Sequence, residues 1–185
     1  MLKKINKILL TIVVFFCTII IVNCSDKVDE NQRNTAIDRT RQKESLEKAN
    51  RYLLLQEKEN IKDYIARHNI DAVETGTGLR YCIIKQGAGD KIKKGDVVSM
   101  DYEVRFLTGD LVYSSKEDGP KVFVVGRGGV ESGLEEAMLH FHKGDWAEII
   151  IPSHLAYGLL GDGNRIPPKT AVVYSVHIID NQLNN

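Results

Sequence analysis

At Gly76 the sequence changes character. From there onward short strand-like runs, at 79–86, 97–107, 111–115, 122–125, 147–151 and 171–179, alternate with turns that carry glycine. Thr108-Gly109-Asp110 between two of them is a hairpin signal. Only residues 130–141 read as a helix within this set, so the predicted class is α+β, an antiparallel sheet with one helix on its face.

The preceding stretch follows a different period. Leu46, Ala49, Leu53, Leu54, Ile61, Tyr64 and Ile65 fall at helical spacing, with Glu47, Lys48, Glu57, Lys58 and Lys62 between them. Thr35-Ala36-Ile37-Asp38 offers a weak capping box, so an amphipathic helical arm is expected over 35–69. Its apolar stripe can dock on the chain's own body or pair with a second copy. The heptad fails around Gln56 and Asn60, which argues against a long coiled coil. Residues 24–34 are polar and charge-mixed and read as a tether.

Residues 1–23 have a lysine-bearing start and an apolar run over 8–22, the pattern of a secretory signal. That run is shorter than the roughly 20 residues a spanning helix needs. It ends at Val22-Asn23-Cys24-Ser25-Asp26, which looks like a bacterial lipoprotein cleavage site with Cys24 acylated, although Asn23 replaces the usual small residue. An uncleaved membrane anchor is the alternative, and both readings place the rest of the chain outside the cytoplasm. The chain has 25 basic and 25 acidic side chains, and Lys3, Lys4 and Lys7 belong to the signal, so the remainder is net acidic and no nucleic-acid partner is expected. With Cys17 in the signal and Cys24 carrying lipid, Cys82 is the lone cysteine of the soluble part, expected to be a small buried hydrophobe.

Gly133-Leu134-Glu135-Glu136-Ala137, then Leu155-Ala156-Tyr157-Gly158, Ile166-Pro167-Pro168 and Val172-Val173-Tyr174-Ser175-Val176 form an ordered set. It resembles FKBP-type peptidyl-prolyl cis/trans isomerases over residues 79–180. The resemblance implies an FKBP-like antiparallel β-sheet wrapped around one short helix, a domain over 76–181, and a substrate pocket between sheet and helix. It also implies proline-containing polypeptide clients and no cofactor. The arrangement of signal, lipidation site, arm and body is further similar to gliding-motility-associated FKBP-type isomerase lipoproteins, which implies assistance to exported motility or secretion components at the envelope, periplasmic or outer-membrane. Some surface isomerases of the family dimerise through helical arms, which keeps a homodimer in view.

Isomerisation breaks no bond. It needs a site that favours the twisted X-Pro amide over the planar one, across a barrier near ~18–20 kcal/mol. A desolvated cavity and one or two hydrogen bonds suffice, so a catalytic triad is not required. By resemblance the candidate catalytic residues are Tyr102, Tyr157 and Tyr174, with the Tyr157 hydroxyl donating to a ligand carbonyl. Substrate-binding candidates are Val112, Tyr113, Phe123, Val130, Glu131, Leu134 and Ile166. Tyr113 replaces a family aspartate, and Lys121 and Glu131 stand where apolar residues are usual. Glu131 is expected to point outward, leaving its backbone amide to the ligand.

Other features carry less. His140, His142, His154 and His177 show no metal-ligand spacing, and no metal is expected. Gly126-Arg127-Gly128-Gly129 lacks the Lys-Ser/Thr of a phosphate loop and reads as a turn. Trp146 opens a strand and is expected in the core. Leu159 and Leu160, in a flexible loop, either grip an unfolded client or pack back onto the body.

Overall fold

The computed structural model describes residues 29–179. The signal, Cys24 and the start of the tether lie outside the described residues. The first helix, α1, spans Asp29–His68, so it takes in residues 29–34 expected as tether and passes through the expected start at Thr35. It stops on a Schellman motif: Asn69 takes φ 51°, the Ile70 amide donates to the Ile65 carbonyl (3.1 Å), and the Asn69 amide donates to Ala66 (3.2 Å). The chain divides into two units, residues 1–53 and 54–185. In the first, residues 41–53 of α1 are exposed, Leu46 and Tyr52 by about two-thirds.

The second unit holds the rest of α1 and a seven-stranded antiparallel sheet. Its strands are β1 (Val73–Glu74), β2 (Arg80–Lys85), β3 (Val97–Phe106), β4 (Leu111–Ser114), β5 (Lys121–Val124), β6 (Trp146–Ile151) and β7 (Val172–Ile179). Six match the strands expected from the alternating pattern, with ends moved by a residue or so. β1 and a short helix α2 (Ser115–Asp118) were not expected; both are too short to carry a period. The order is β1-β2-β6-β7-β3-β4, and β5 pairs with β3. β3 is long enough for β5 to pair with its first half and β4 with its second, along the edge opposite β7.

The helix expected at 130–141 is confined to α3 (Ser132–Met138). It buries Leu134, Ala137 and Met138 against the sheet's inner face, which supplies Val98, Met100, Tyr102, Val104, Ile149, Ile151, Val172, Tyr174 and Val176. Gly133 is required for this contact: a Cβ there would lie 2.5 Å from Ile151 Cγ2. Sheet and single short helix thus enclose the core as the resemblance implies.

The opposite face of the sheet is covered by the end of α1. Ile61 and Tyr64 pack with Ile150, Ala171 and Val173, joined by Ile65, Ile70 and Leu107. The Tyr64 hydroxyl donates to Glu148 at 3.0 Å. Docking of the arm on its own body is therefore realised by its last turns.

Two core expectations are corrected. Trp146 is 47% exposed, because the period-two alternation of β6 sends Ala147, Ile149 and Ile151 inward and Trp146 outward, where it stacks on His177 at 4.2 Å. Cys82 is only half-buried, on the side of β2 away from α3; burial pushes its thiol up, which disfavours the reactive thiolate.

Candidate functional site

The alternation along each strand decides which side chains meet. Tyr102 on β3, Val112 on β4, Phe123 on β5 and Tyr174 on β7 all project to the face that holds Leu134 of α3. Ile166 joins them from the loop before β7, and Tyr113, Val130 and Tyr157 pack at the margin, half-buried. Nine of the ten residues expected at the site therefore belong to or pack against this one core cluster, and Glu131 joins Tyr157 and Tyr174 through its hydrogen bonds. Tyr102 and Tyr174 lie with ring centroids 6.3 Å apart.

Glu131 corrects the expectation most sharply. Its side chain is 7% exposed and turns inward. Oε1 accepts hydrogen bonds from the Tyr157 hydroxyl and from the Tyr174 hydroxyl, the latter at 2.8 Å. The two hydroxyls are 3.3 Å apart. Lys121 brings its ammonium 3.7 Å from Oε2, 3.5 Å from the Tyr174 hydroxyl, and over the rings of Tyr102 (5.2 Å) and Tyr174 (5.5 Å). An inward carboxylate is tolerated because a cation and two hydroxyl donors converge on it; alone it would carry the full cost of burial.

The ionisation of the group follows. Burial pushes the Glu131 carboxyl up, but the Lys121 charge and the donors Tyr157 and Tyr174 outweigh it, and the net lies below the ordinary value. Tyr157 and Tyr174 are both pushed well up, first by burial and then by the adjacent carboxylate. The site at neutral pH holds a carboxylate and two intact phenols.

Tyr113 donates to a carboxylate that was not expected at the site, that of Asp162. Asp162 also accepts from the backbone amides of Asn164 (2.9 Å) and Ile166 (2.8 Å). Arg165 donates to the Val112 carbonyl at 2.7 Å and lies over the Tyr113 ring at 5.2 Å. The loop of residues 158–168 is thereby tied to β4. Gly161, at φ +71°, is needed there, since a Cβ would fall 2.2 Å from the Ile166 carbonyl oxygen. At the loop tip Leu159 and Leu160 are exposed, 69% and 86%. Asp162 sits in Gly161-Asp162-Gly163-Asn164, a turn signal that points to loop geometry but not to a partner on another strand.

Tyr157 is held from behind. A 3-10 turn, Ser153–Leu155, precedes it, and the Gly158 amide donates to the Ser153 carbonyl at 2.7 Å. Glu57 of α1 accepts from the Ser153 amide (2.9 Å) and hydroxyl (3.1 Å), capping that turn from the arm. A cleft of about 470 Å³ lies elsewhere, between the end of α1 and the β3–β4 connection, and shares no residue with this cluster.

A family model for FKBP-type peptidyl-prolyl cis-trans isomerase matches residues 89–179. The chain is 36% identical to FK506-binding protein 2 of Yarrowia lipolytica, over 55% of this chain and 72% of that protein. It is 37% identical to a probable FKBP-type isomerase, FkpA, of Neisseria meningitidis serogroup B, over 57% of this chain but only 38% of that one. The crystal structure of FkpA from Escherichia coli is similar with a TM-score of 0.60 and 25% identity, covering 85% of this chain and 73% of that. This chain belongs to the FKBP-type peptidyl-prolyl cis-trans isomerase family.

Proposed function

We propose that this protein is a peptidyl-prolyl cis/trans isomerase of the cell envelope that acts on X-Pro bonds of exported polypeptides. The observation that carries the reading is the convergence of Tyr102, Phe123, Leu134, Ile166 and Tyr174 on one face, with the hydroxyls of Tyr157 and Tyr174 at its edge. Apolar walls favour the less polar twisted amide, and a fixed hydroxyl orients the peptide. A thousandfold acceleration requires about 4 kcal/mol of preferential stabilisation, which shape, desolvation and one or two hydrogen bonds supply. Val112 adds to the apolar wall, Tyr113 and Val130 form the margin, and the inward Glu131 bonds the two hydroxyls.

The test is cis-to-trans isomerisation of Leu-Pro and Phe-Pro peptides by substoichiometric full chain, beside a Tyr157→Phe, Tyr174→Ala variant. Acceleration lost in the variant supports catalysis in this cluster. Partner binding without acceleration supports a second reading, a binding module of an envelope machine. That reading draws on Glu131, whose carboxylate already engages both hydroxyls.

Four finer elements belong to the same proposal. The domain plan is signal 1–23, a tether beginning at Cys24, the helical arm, and an isomerase domain over 76–181. Cys24 carries the lipid, and Cys24→Ser then abolishes incorporation of labelled palmitate. Clients are motility or secretion components, and the exposed Leu46 and Leu53 of α1 pair with a second copy to form a homodimer, which light scattering reads as a doubled mass.

A further inference from the structure

One oxygen of the buried carboxylate has no donor. Glu131 Oε1 takes two hydroxyls, whereas Oε2 is buried without a hydrogen-bond partner among the described residues. Lys121 stands 3.7 Å from it, near enough to balance its charge but beyond hydrogen-bond distance. A carboxylate can accept at about four lone-pair positions, and a buried oxygen left without a protein donor is costly. Lys121 is the more exposed of the pair, with 24% of its side chain accessible, and its flexible stem can carry the ammonium out to water and uncover Oε2.

The same bonds set what a ligand meets. Tyr157 and Tyr174 have committed their protons to Oε1, so an incoming carbonyl must compete with an anion for either hydroxyl. At Oε2 the site offers an acceptor that lacks a donor. A ligand N–H reaching Oε2 would gain a charge-assisted hydrogen bond and relieve the unpaired oxygen. An ester oxygen at the same place would set lone pairs against a carboxylate.

We infer that Glu131 makes this site select its ligand by hydrogen-bond polarity, taking prolyl ligands that bring an N–H beside the ring, as the amide after proline does, over ligands that offer only acceptors there. Glu131 acts as a specificity-determining residue, provided that the cluster is the prolyl-peptide site proposed above. Lys121 neutralises the carboxylate between binding events and gives way to the ligand donor.

A matched pair of probes tests this: N-acetyl-Leu-Pro N-methylamide and N-acetyl-Leu-Pro methyl ester, which differ by one N–H. Each is titrated into the full chain while the tyrosine ring resonances are followed. The amide should bind at least roughly tenfold more tightly, the worth of one charge-assisted hydrogen bond. In Glu131→Gln the side-chain amide can turn a donor to the ester, and the ratio should shrink to within about twofold; Glu131→Ile, which removes the acceptor, should do the same. Near-UV circular dichroism identifies which variant is folded and can be read.

Equal affinities in the wild type, with both ligands lost in Tyr174→Ala, would overturn the selection by Glu131 and leave the prolyl site standing. A tenfold ratio that persists in the folded Glu131 variants would overturn it too, since the discrimination would then lie in other residues. If neither probe binds and no X-Pro peptide is accelerated, the prolyl site itself fails, and the selection with it.

Discussion

Removing the Tyr157 hydroxyl should cost more than an ordinary surface hydroxyl, because it donates to an ionised carboxylate whose side chain is 7% exposed. A hydrogen bond to a charged group is worth about 1.5–3 kcal/mol, so Tyr157→Phe should destabilise the fold by about 2 kcal/mol at neutral pH. In a Glu131→Gln background the same change removes only a neutral hydrogen bond, about 0.5–1 kcal/mol. A double-mutant cycle by urea unfolding should therefore give a coupling of about 1–1.5 kcal/mol. The pH dependence has a definite sign. The folded carboxyl lies below its ordinary value, so its stabilisation is present above the unfolded-state value and is lost as pH falls through the folded one. Glu131→Gln should flatten that acid limb. A coupling under about 0.5 kcal/mol, with an unchanged acid limb, would refute the inward, hydrogen-bonded Glu131.

The remaining predictions concern the arm and its contacts. Ile61→Ala, at a site 1% exposed against Ile150 and Val173, should cost about 3 kcal/mol in urea unfolding. Glu57→Ala should leave the Ser153 amide uncapped and lower stability by about 1 kcal/mol, with Glu57→Gln recovering part of it because an acceptor remains. Tyr64 is pushed up to about 12, first by burial and then by the neighbouring Glu148. Its contribution is complete below the unfolded phenol's value near 10 and is lost as pH rises through about 12, so Tyr64→Phe should reduce the alkaline loss of stability across that window, read by circular dichroism.

Much of the architecture was legible because strands and helices print their periods on the chain. β3 reads inward at Val98, Met100, Tyr102 and Val104, and the same alternation in β7 marks Val172, Tyr174, Val176 and Ile178. The ordered motifs around Gly133, Tyr157 and Ile166 carried the family. Short elements such as β1 and α2 were not legible, since two to four residues hold no period. Trp146 was misplaced because a large apolar residue at a strand end does not reveal which face it takes.

By itself the sequence determined the α+β class, the longer strands, the helical arm and most of the residues that face the core, since each depends on local spacing alone. Tertiary structure decided what depends on charges and donors brought together from distant elements. Glu131 lies inward because Lys121 on β5, Tyr174 on β7 and Tyr157 after the 3-10 turn converge on it, and Tyr113 finds its carboxylate in Asp162, 49 residues away in the chain. A glutamate read alone belongs at the surface, because burying an unpaired charge costs more than packing returns; only the fold supplies the partners that reverse that preference.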